Sequence, residues 1–300
     1  MKPRVEIAVD LRDRCGEAPI WDAARGRLIW TDIEGSILHV LEPGSGSLAA
    51  LSPGRQVSGL ALDRSGALVL AGPSGLHTWR ESSDQQPRAI AAGENNEPLP
   101  FNDVIATPSG GLYAGAIHWG ADGMICPGEL HFFDPAGRTR IVDEGILLAN
   151  GLAIGPEGRK LYFADSAARV IYVYDADPRS GELSDKRAFV RVPADDGIPD
   201  GITLDAEGHL WCALWYGAQV VRYDPDGAVE RRIRLPSLQI SSLAFGGPDL
   251  DALYVTSAAE PWRSNLAPPG HDFDSPRTGG PLYRVWTGIQ GRPEPTTALA

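Results

Sequence analysis

Asp200-Gly-Ile-Thr-Leu-Asp-Ala-Glu-Gly-His-Leu-Trp-Cys-Ala213 holds the fold of this chain in miniature. Ile202 and Leu204 alternate with smaller neighbours, Asp205-Ala-Glu-Gly208 supplies a tight turn, and Leu210 to Ala213 return as an apolar run. Short apolar runs bounded by Gly and Asp are strand-like, not helical. The phrase recurs along the chain. It begins at Glu17-Ala-Pro-Ile-Trp-Asp22, Ser58-Gly-Leu-Ala-Leu-Asp63, Asn102-Asp-Val-Ile-Ala-Thr107, Asn150-Gly-Leu-Ala-Ile-Gly155, Asp200-Gly-Ile-Thr-Leu-Asp205 and Ser241-Ser-Leu-Ala-Phe-Gly246. The starts step by 41, 44, 48, 50 and 41 residues, which is the spacing of propeller blades of four short strands. Equivalent positions of successive blades converge on one central channel. All six lead residues can offer an oxygen, so oxygens far apart in sequence are expected to meet there.

A second strand-like segment follows each inner hairpin: Ile37–Leu41, Gly75–Trp79, Leu130–Phe133, Val170–Tyr174, Val220–Tyr223 and Leu282–Trp286. Six inner and six outer signals predict an all-β, six-bladed β-propeller with four antiparallel strands per blade. An open ring would leave bare strand edges. Val5–Val9 is therefore expected to close it by joining the blade that contains Leu282–Trp286. The repeat fills nearly the whole chain, which predicts one domain over residues 1–300, a length that closed all-β folds reach as a single unit. Glu260 to Gly280 break the pattern with four prolines and read as a long surface loop. Helix content should be low.

The net charge of −12 argues against nucleic acid and anionic membranes as partners. Cys15, Cys126 and Cys212 show no zinc spacing and read as reduced, structural thiols. Cys15, close to Glu17, has an acidic neighbourhood that should raise its pKa. The N-terminus has no apolar stretch of signal-peptide length, and no segment approaches the ~20 apolar residues needed to span a bilayer. A cytoplasmic location, as a monomer or weak homo-oligomer, is the expectation.

Glu17 and Asp200, with the amide oxygens of Asn102 and Asn150, form a set of hard oxygen donors suited to Ca²⁺, Mg²⁺ or Mn²⁺. Taken singly, each reads more simply as a cap for the start of its own strand. Taken together, two carboxylates in one channel are costly unless a cation is present. Of the six histidines none pair at ligand spacing. His118, after Ala114-Gly-Ala-Ile-His118, is the one expected to reach the channel mouth. Trp119, Trp215 and Tyr216 follow inner hairpins and either line that mouth or pack between loops. There is no GxSxG elbow, and the glycines of Gly123 to Gly128 lack the strand–helix context of a phosphate loop.

Ile198-Pro-Asp-Gly-Ile-Thr-Leu-Asp-Ala-Glu-Gly-His-Leu-Trp211 closely resembles the regucalcin/gluconolactonase (senescence-marker-protein-like) family of six-bladed sugar lactonases. Asn150-Gly-Leu-Ala, Phe101-Asn-Asp and Gly16-Glu-Ala-Pro-Ile-Trp look like three further signatures, and Gly280 to Gly291 is similar to the family's closing strand. The likeness spans roughly residues 10 to 291, with the motifs in order. It implies that Glu17, Asn150 and Asp200 bind one divalent metal ion (Ca, Mg, Mn, Zn or Fe). It further implies that Asn102 contacts the substrate or a metal-bound water, and that Asp200 doubles as general acid/base. The implied reaction is hydrolysis of an aldono-lactone to its aldonic acid. Two positions depart from the animal members: Pro100 stands where they carry Arg, and Gly120 near an acidic substrate contact. His118, Trp119 and residues of the 260–280 loop are the candidates to replace those contacts. The competing readings are another hydrolase on the same scaffold, of organophosphate type, and a non-catalytic calcium-binding or interaction propeller.

Overall fold

The computed structural model describes residues 3–81, 86–91, 99–120, 125–277 and 279–300. Six four-stranded antiparallel sheets are arranged as a ring of blades. Their innermost strands are Gly16–Asp22, Gly59–Leu62, Phe101–Ala106, Ala149–Ile154, Ile198–Leu204 and Ile240–Gly246. Each carries one repeat of the sequence phrase or directly follows its lead residue. The ring closes as expected: Arg4–Val9 pairs antiparallel with Leu282–Trp286, with Val5 opposite Val285 and Ile7 opposite Tyr283. Helix is confined to the single 3₁₀ turns Pro156–Gly158 and Ala194–Asp196 among the described residues. None of the described helices is long and apolar enough to cross a membrane.

Among the described residues the core consists of six interblade clusters and a seventh that gathers Ile198, Trp215, Tyr216 and Ala258. Ile20 and Ile29 of blade 1 meet Leu60 and Leu70 of blade 2. Val69 and Leu76 of blade 2 meet Val104 and Leu112 of blade 3. The pattern repeats around the ring until Tyr254 and Leu282 of blade 6 pack on Leu28 and Trp30 of blade 1. Both faces of a blade are therefore buried, which is why the second strands read as continuous apolar runs. Each fully buried Leu or Ile contributes about 1.5–3 kcal/mol.

Hydroxyl and amide groups stitch neighbouring blades together around the channel. Thr31 Oγ1 donates to Val57 O at 2.8 Å, Ser58 Oγ to Phe101 O at 3.0 Å, and Asn102 Nδ2 to Ala149 O at 2.9 Å. Ser166 Oγ reaches Pro199 O, and Ser241 Oγ reaches Gly16 O. Two features went beyond the sequence pattern. His118–Trp119 and Ile125–Cys126 pair as a small extra hairpin above blade 3. The C-terminal segment straps the opposite end of the ring, where Asp63 receives Thr297 Oγ1 at 2.7 Å and Leu299 N at 2.8 Å.

Candidate active site

Five of the six inner strands are bulged where the repeat predicts polar side chains. Register slips between Glu17 and Ile20, Phe101 and Val104, Ala149 and Leu152, Pro199 and Ile202, and Ile240 and Leu243. A bulge bends a strand and re-aims its side chains, so the lead residues turn toward the axis instead of following strict alternation. Glycine after the lead has a steric cause. A Cβ on Gly151 would stand 2.4 Å from Asp200 O, and one on Gly201 would stand 2.2 Å from Ser242 Oγ. Inner strands of neighbouring blades approach too closely there for any side chain.

Glu17, Asn102, Asn150 and Asp200 all line one cavity of about 370 Å³ at this end of the channel. Ile117, Trp119, Trp215 and Trp262 supply apolar walls, and Arg14, Glu34 and Glu260 are also part of its lining. The amides are locked in series. Asn102 Nδ2 donates to Asn150 Oδ1 at 2.8 Å, and Asn150 Nδ2 donates to Ser166 Oγ at 3.0 Å. Asn150 is thereby held with its oxygen inward, and Asn102 keeps its own Oδ1 clear of these bonds.

The carboxylates are poorly compensated. Burial pushes Glu17 up to about 8, against the pull of the Ala18 N–H that donates to it at 2.8 Å. Burial, then repulsion from Glu17 and Asp103, raises Asp200 well above the ordinary carboxylate range. Among the described residues, neither forms an ion pair with Lys or Arg. Asp200 is only 4 % exposed, so its charge is expensive as it stands.

These residues fit a hard divalent cation. Among the described residues there is no group of three His, Cys, Asp or Glu side chains disposed to hold a metal. A protein-bound ion in this cavity would therefore draw on Asn150 as well as the two acids, as the oxygen-rich donor set allows.

Asp103 belongs to the same electrostatic unit and was missed in the sequence, where alternation places it opposite Asn102. The Phe101/Val104 bulge removes that alternation. Burial raises Asp103 to about 7. Its charge acts on Glu17 and Asp200 on one side and on Glu294 of the C-terminal strap on the other.

His118 does not join the cavity wall, which takes Ile117 and Trp119 from either side of it. Its Nε2 instead bonds Glu129 Oε2 at 2.8 Å, because the extra hairpin folds it back over blade 3. Ser58 and Ser241 likewise offer the site nothing, their hydroxyls being spent on the interblade bonds. Cys15 lines the cavity, and burial followed by the charges of Glu17 and Asp200 keeps it a protonated thiol.

The 260–280 stretch, apart from the undescribed Thr278, is no simple surface loop. Gln239 Nε2 donates to Ala258 O at 2.9 Å and Glu260 O at 2.8 Å, and Gln239 Oε1 accepts Trp262 N at 2.9 Å. Trp262 also stacks on Tyr216, whose hydroxyl donates to Trp262 O at 2.6 Å. Tyr216 therefore packs behind the wall while Trp119 and Trp215 line it. Of the glycine-rich run at 123–128, residues 123 and 124 lie outside the described residues.

A six-bladed propeller with acids and amides gathered in a cavity at one end of its channel defines the class, and the sequence places the chain within it. Residues 15–259 match the SMP-30/Gluconolactonase/LRE-like region, and the chain belongs to that family. It is 35% identical to the pentonolactonase XacC of Haloferax volcanii over 97% of both chains. It is 32% identical to a 6-deoxy-6-sulfogluconolactonase of Pseudomonas putida, over 82% of this chain and 84% of that one. The solved structure of a calcium-binding protein, regucalcin, from Agrobacterium tumefaciens superposes with a TM-score of 0.83 at 28% identity, covering 97% of this chain and 96% of that one.

Proposed function

We propose that the chain is a divalent-metal-dependent sugar lactonase, hydrolysing an aldonolactone to its aldonic acid in the cavity built on Glu17, Asn102, Asn150 and Asp200. One observation carries the reading: the buried Asp200, the part-buried Glu17 and an oriented amide oxygen share a cavity in which, among the described residues, no cationic side chain pairs with either acid. The family membership and the lactonase names of its relatives support it.

In this reading Glu17, Asn150 and Asp200 hold the ion, which when bound polarises the lactone carbonyl and stabilises the negative charge that grows on its oxygen. Asp200 takes a proton from the attacking water as the new C–O bond forms. It returns that proton to the ring oxygen as the ring C–O bond breaks, so one lactone and one water become one hydroxy acid. General base help of this kind is worth about 10² to 10⁴ in rate. Asn102, its amide nitrogen fixed on Ala149 O and Asn150 Oδ1, offers Oδ1 to a substrate hydroxyl or to the attacking water. The indoles of Trp119, Trp215 and Trp262 give the C–H face of the ring a dry surface.

The test is acid release from a panel of 1,4- and 1,5-aldonolactones, with phosphotriesters alongside. Each is assayed before and after chelation and after adding back Mg²⁺, Ca²⁺, Mn²⁺, Fe²⁺ or Zn²⁺. Lactone hydrolysis lost on chelation and restored by at least one ion is expected. Hydrolysis indifferent to chelator, or seen only with phosphotriesters, overturns the proposal.

A further inference from the structure

Among the described residues that line the cavity, Arg14 is the only Lys or Arg, against four carboxylates, those of Glu17, Glu34, Asp200 and Glu260. Its guanidinium is committed to Glu260: Nε donates to Oε2 at 2.8 Å and Nη2 lies 2.7 Å from the same oxygen. Nη1 reaches Glu34 O at 3.3 Å. Both short contacts thus fall on Oε2, and Oε1 stands outside the pair.

The pair is not there for stability. Its side chains are 55% and 51% exposed, and an ion pair so open to water adds little to stability. Its position is nevertheless built with care. Glu260 N donates to Arg14 O at 3.0 Å, Ala259 N donates to Asp13 O at 2.9 Å, and Gln239 holds Glu260 O. Blades 1 and 6 are laced together so that the two charged heads meet at the cavity rim, beside Trp262.

We infer that Arg14 and Glu260 form the specificity clamp for the far end of the substrate, selecting an uncharged polyhydroxyl tail over an anionic one. This rests on the lactonase reading. Adjacent hydroxyls can each donate and accept, and the clamp presents guanidinium N–H donors beside a free carboxylate oxygen. A phosphate or sulfonate on the tail meets different conditions. Glu260 already occupies the single guanidinium, and Glu34 and Glu260 repel a second anion. Even with a dication bound below, the cavity's carboxylates outnumber its positive charges by one. Carboxylates set against a ligand group are an established means of excluding the wrong partner.

The experiment compares kcat/KM for glucono-1,5-lactone and for its 6-phosphate, with Mn²⁺ present, in the wild type, Glu260→Gln, Arg14→Ala and the exchanged double variant Arg14→Glu/Glu260→Arg. The wild type is expected to favour the uncharged lactone at least tenfold. Glu260→Gln frees the guanidinium and should shift the ratio toward the phosphate about tenfold. Arg14→Ala should raise KM for the uncharged lactone about tenfold with kcat within twofold, the mark of lost binding rather than lost chemistry. The exchanged pair should return that KM to within threefold of wild type. Both residues are exposed, so the fold should tolerate every change, and circular dichroism verifies it. A wild type that cleaves both lactones equally, or a Glu260→Gln ratio within twofold of wild type, overturns the clamp and leaves the lactonase reading intact. A wild type that cleaves neither, together with the rest of the lactone panel, removes both.

Discussion

Asp200 and Ser241 lead consecutive repeats, both almost wholly buried beside the same channel, and they meet opposite ends. Ser241 is satisfied: its hydroxyl donates to Gly16 O and lies 3.0 Å from Thr256 Oγ1, joining blade 6 to blade 1. Asp200 has the Gly201 N–H to lower its pKa, while burial and the charges of Glu17 and Asp103 drive it upward. The repeat fixes where a side chain goes. Whether its polar atoms find partners within the protein decides whether it holds the ring together or waits for a ligand. Ser58 falls with Ser241, and Glu17 falls with Asp200.

The largest expected effect breaks the pair apart by activity. Asp200→Asn keeps the volume and one oxygen but loses the base and a charge, so kcat should fall about 10² to 10⁴. Ser241→Ala should stay within about threefold. If Asp200→Asn keeps hydrolysis of every aldonolactone within threefold of wild type, the division between the two residues fails.

A smaller effect follows from pH in the ion-free protein. Glu17 ionises near its ordinary 4.5 when unfolded but only near 8 when folded. Between those values the folded state holds the extra proton, so stability is highest at the acid end and drains away as pH rises toward 8. With chelator present, Tm should drop by on the order of 5–10 °C across that window. Glu17→Gln should make the slope shallower, with Asp200 and Asp103, also raised by burial, carrying the remainder, and added divalent ion should remove most of it. A Tm in chelator that rises with pH, or a slope untouched by Glu17→Gln, would show that Glu17 is compensated in the protein.

The ring was legible because its causes are local and repeated. Alternating Ile202 and Leu204, the Asp205–Gly208 turn and the apolar return are each set by neighbours in sequence, and six copies make the count. Val5–Val9 could be placed by elimination, since a closed ring needs one more strand. Convergence of Glu17, Asn102, Asn150 and Asp200 on one cavity was legible for the same reason. What stayed hidden depends on departures from the repeat. Asp103 turns inward only because of a bulge, which two-residue alternation does not signal. His118 is drawn to Glu129 by a hairpin with two residues on each side. Gln239, which holds the 260–262 wall, sits just before an inner strand, and nothing local marks it as a clamp. The C-terminal strap depends on Asp63, whose partners lie more than 230 residues away.

The smallest effect is the most discriminating, because the two residues should move stability in opposite directions. Ser241→Ala removes a donor and leaves Gly16 O short of a buried partner, which should cost about 1 kcal/mol and lower Tm by roughly 2–4 °C in a chain of this size. Asp200→Asn, measured in chelator at pH 8, removes a carboxylate that must be either protonated or buried without a cationic partner on folding, and should raise Tm. With divalent ion present the gain should vanish or reverse, since the wild type then has its counter-charge and the variant has given up a ligand. Functional sites commonly trade stability in this way. A drop in Tm for both variants in chelator would mean that Asp200, like Ser241, is already satisfied by the protein around it.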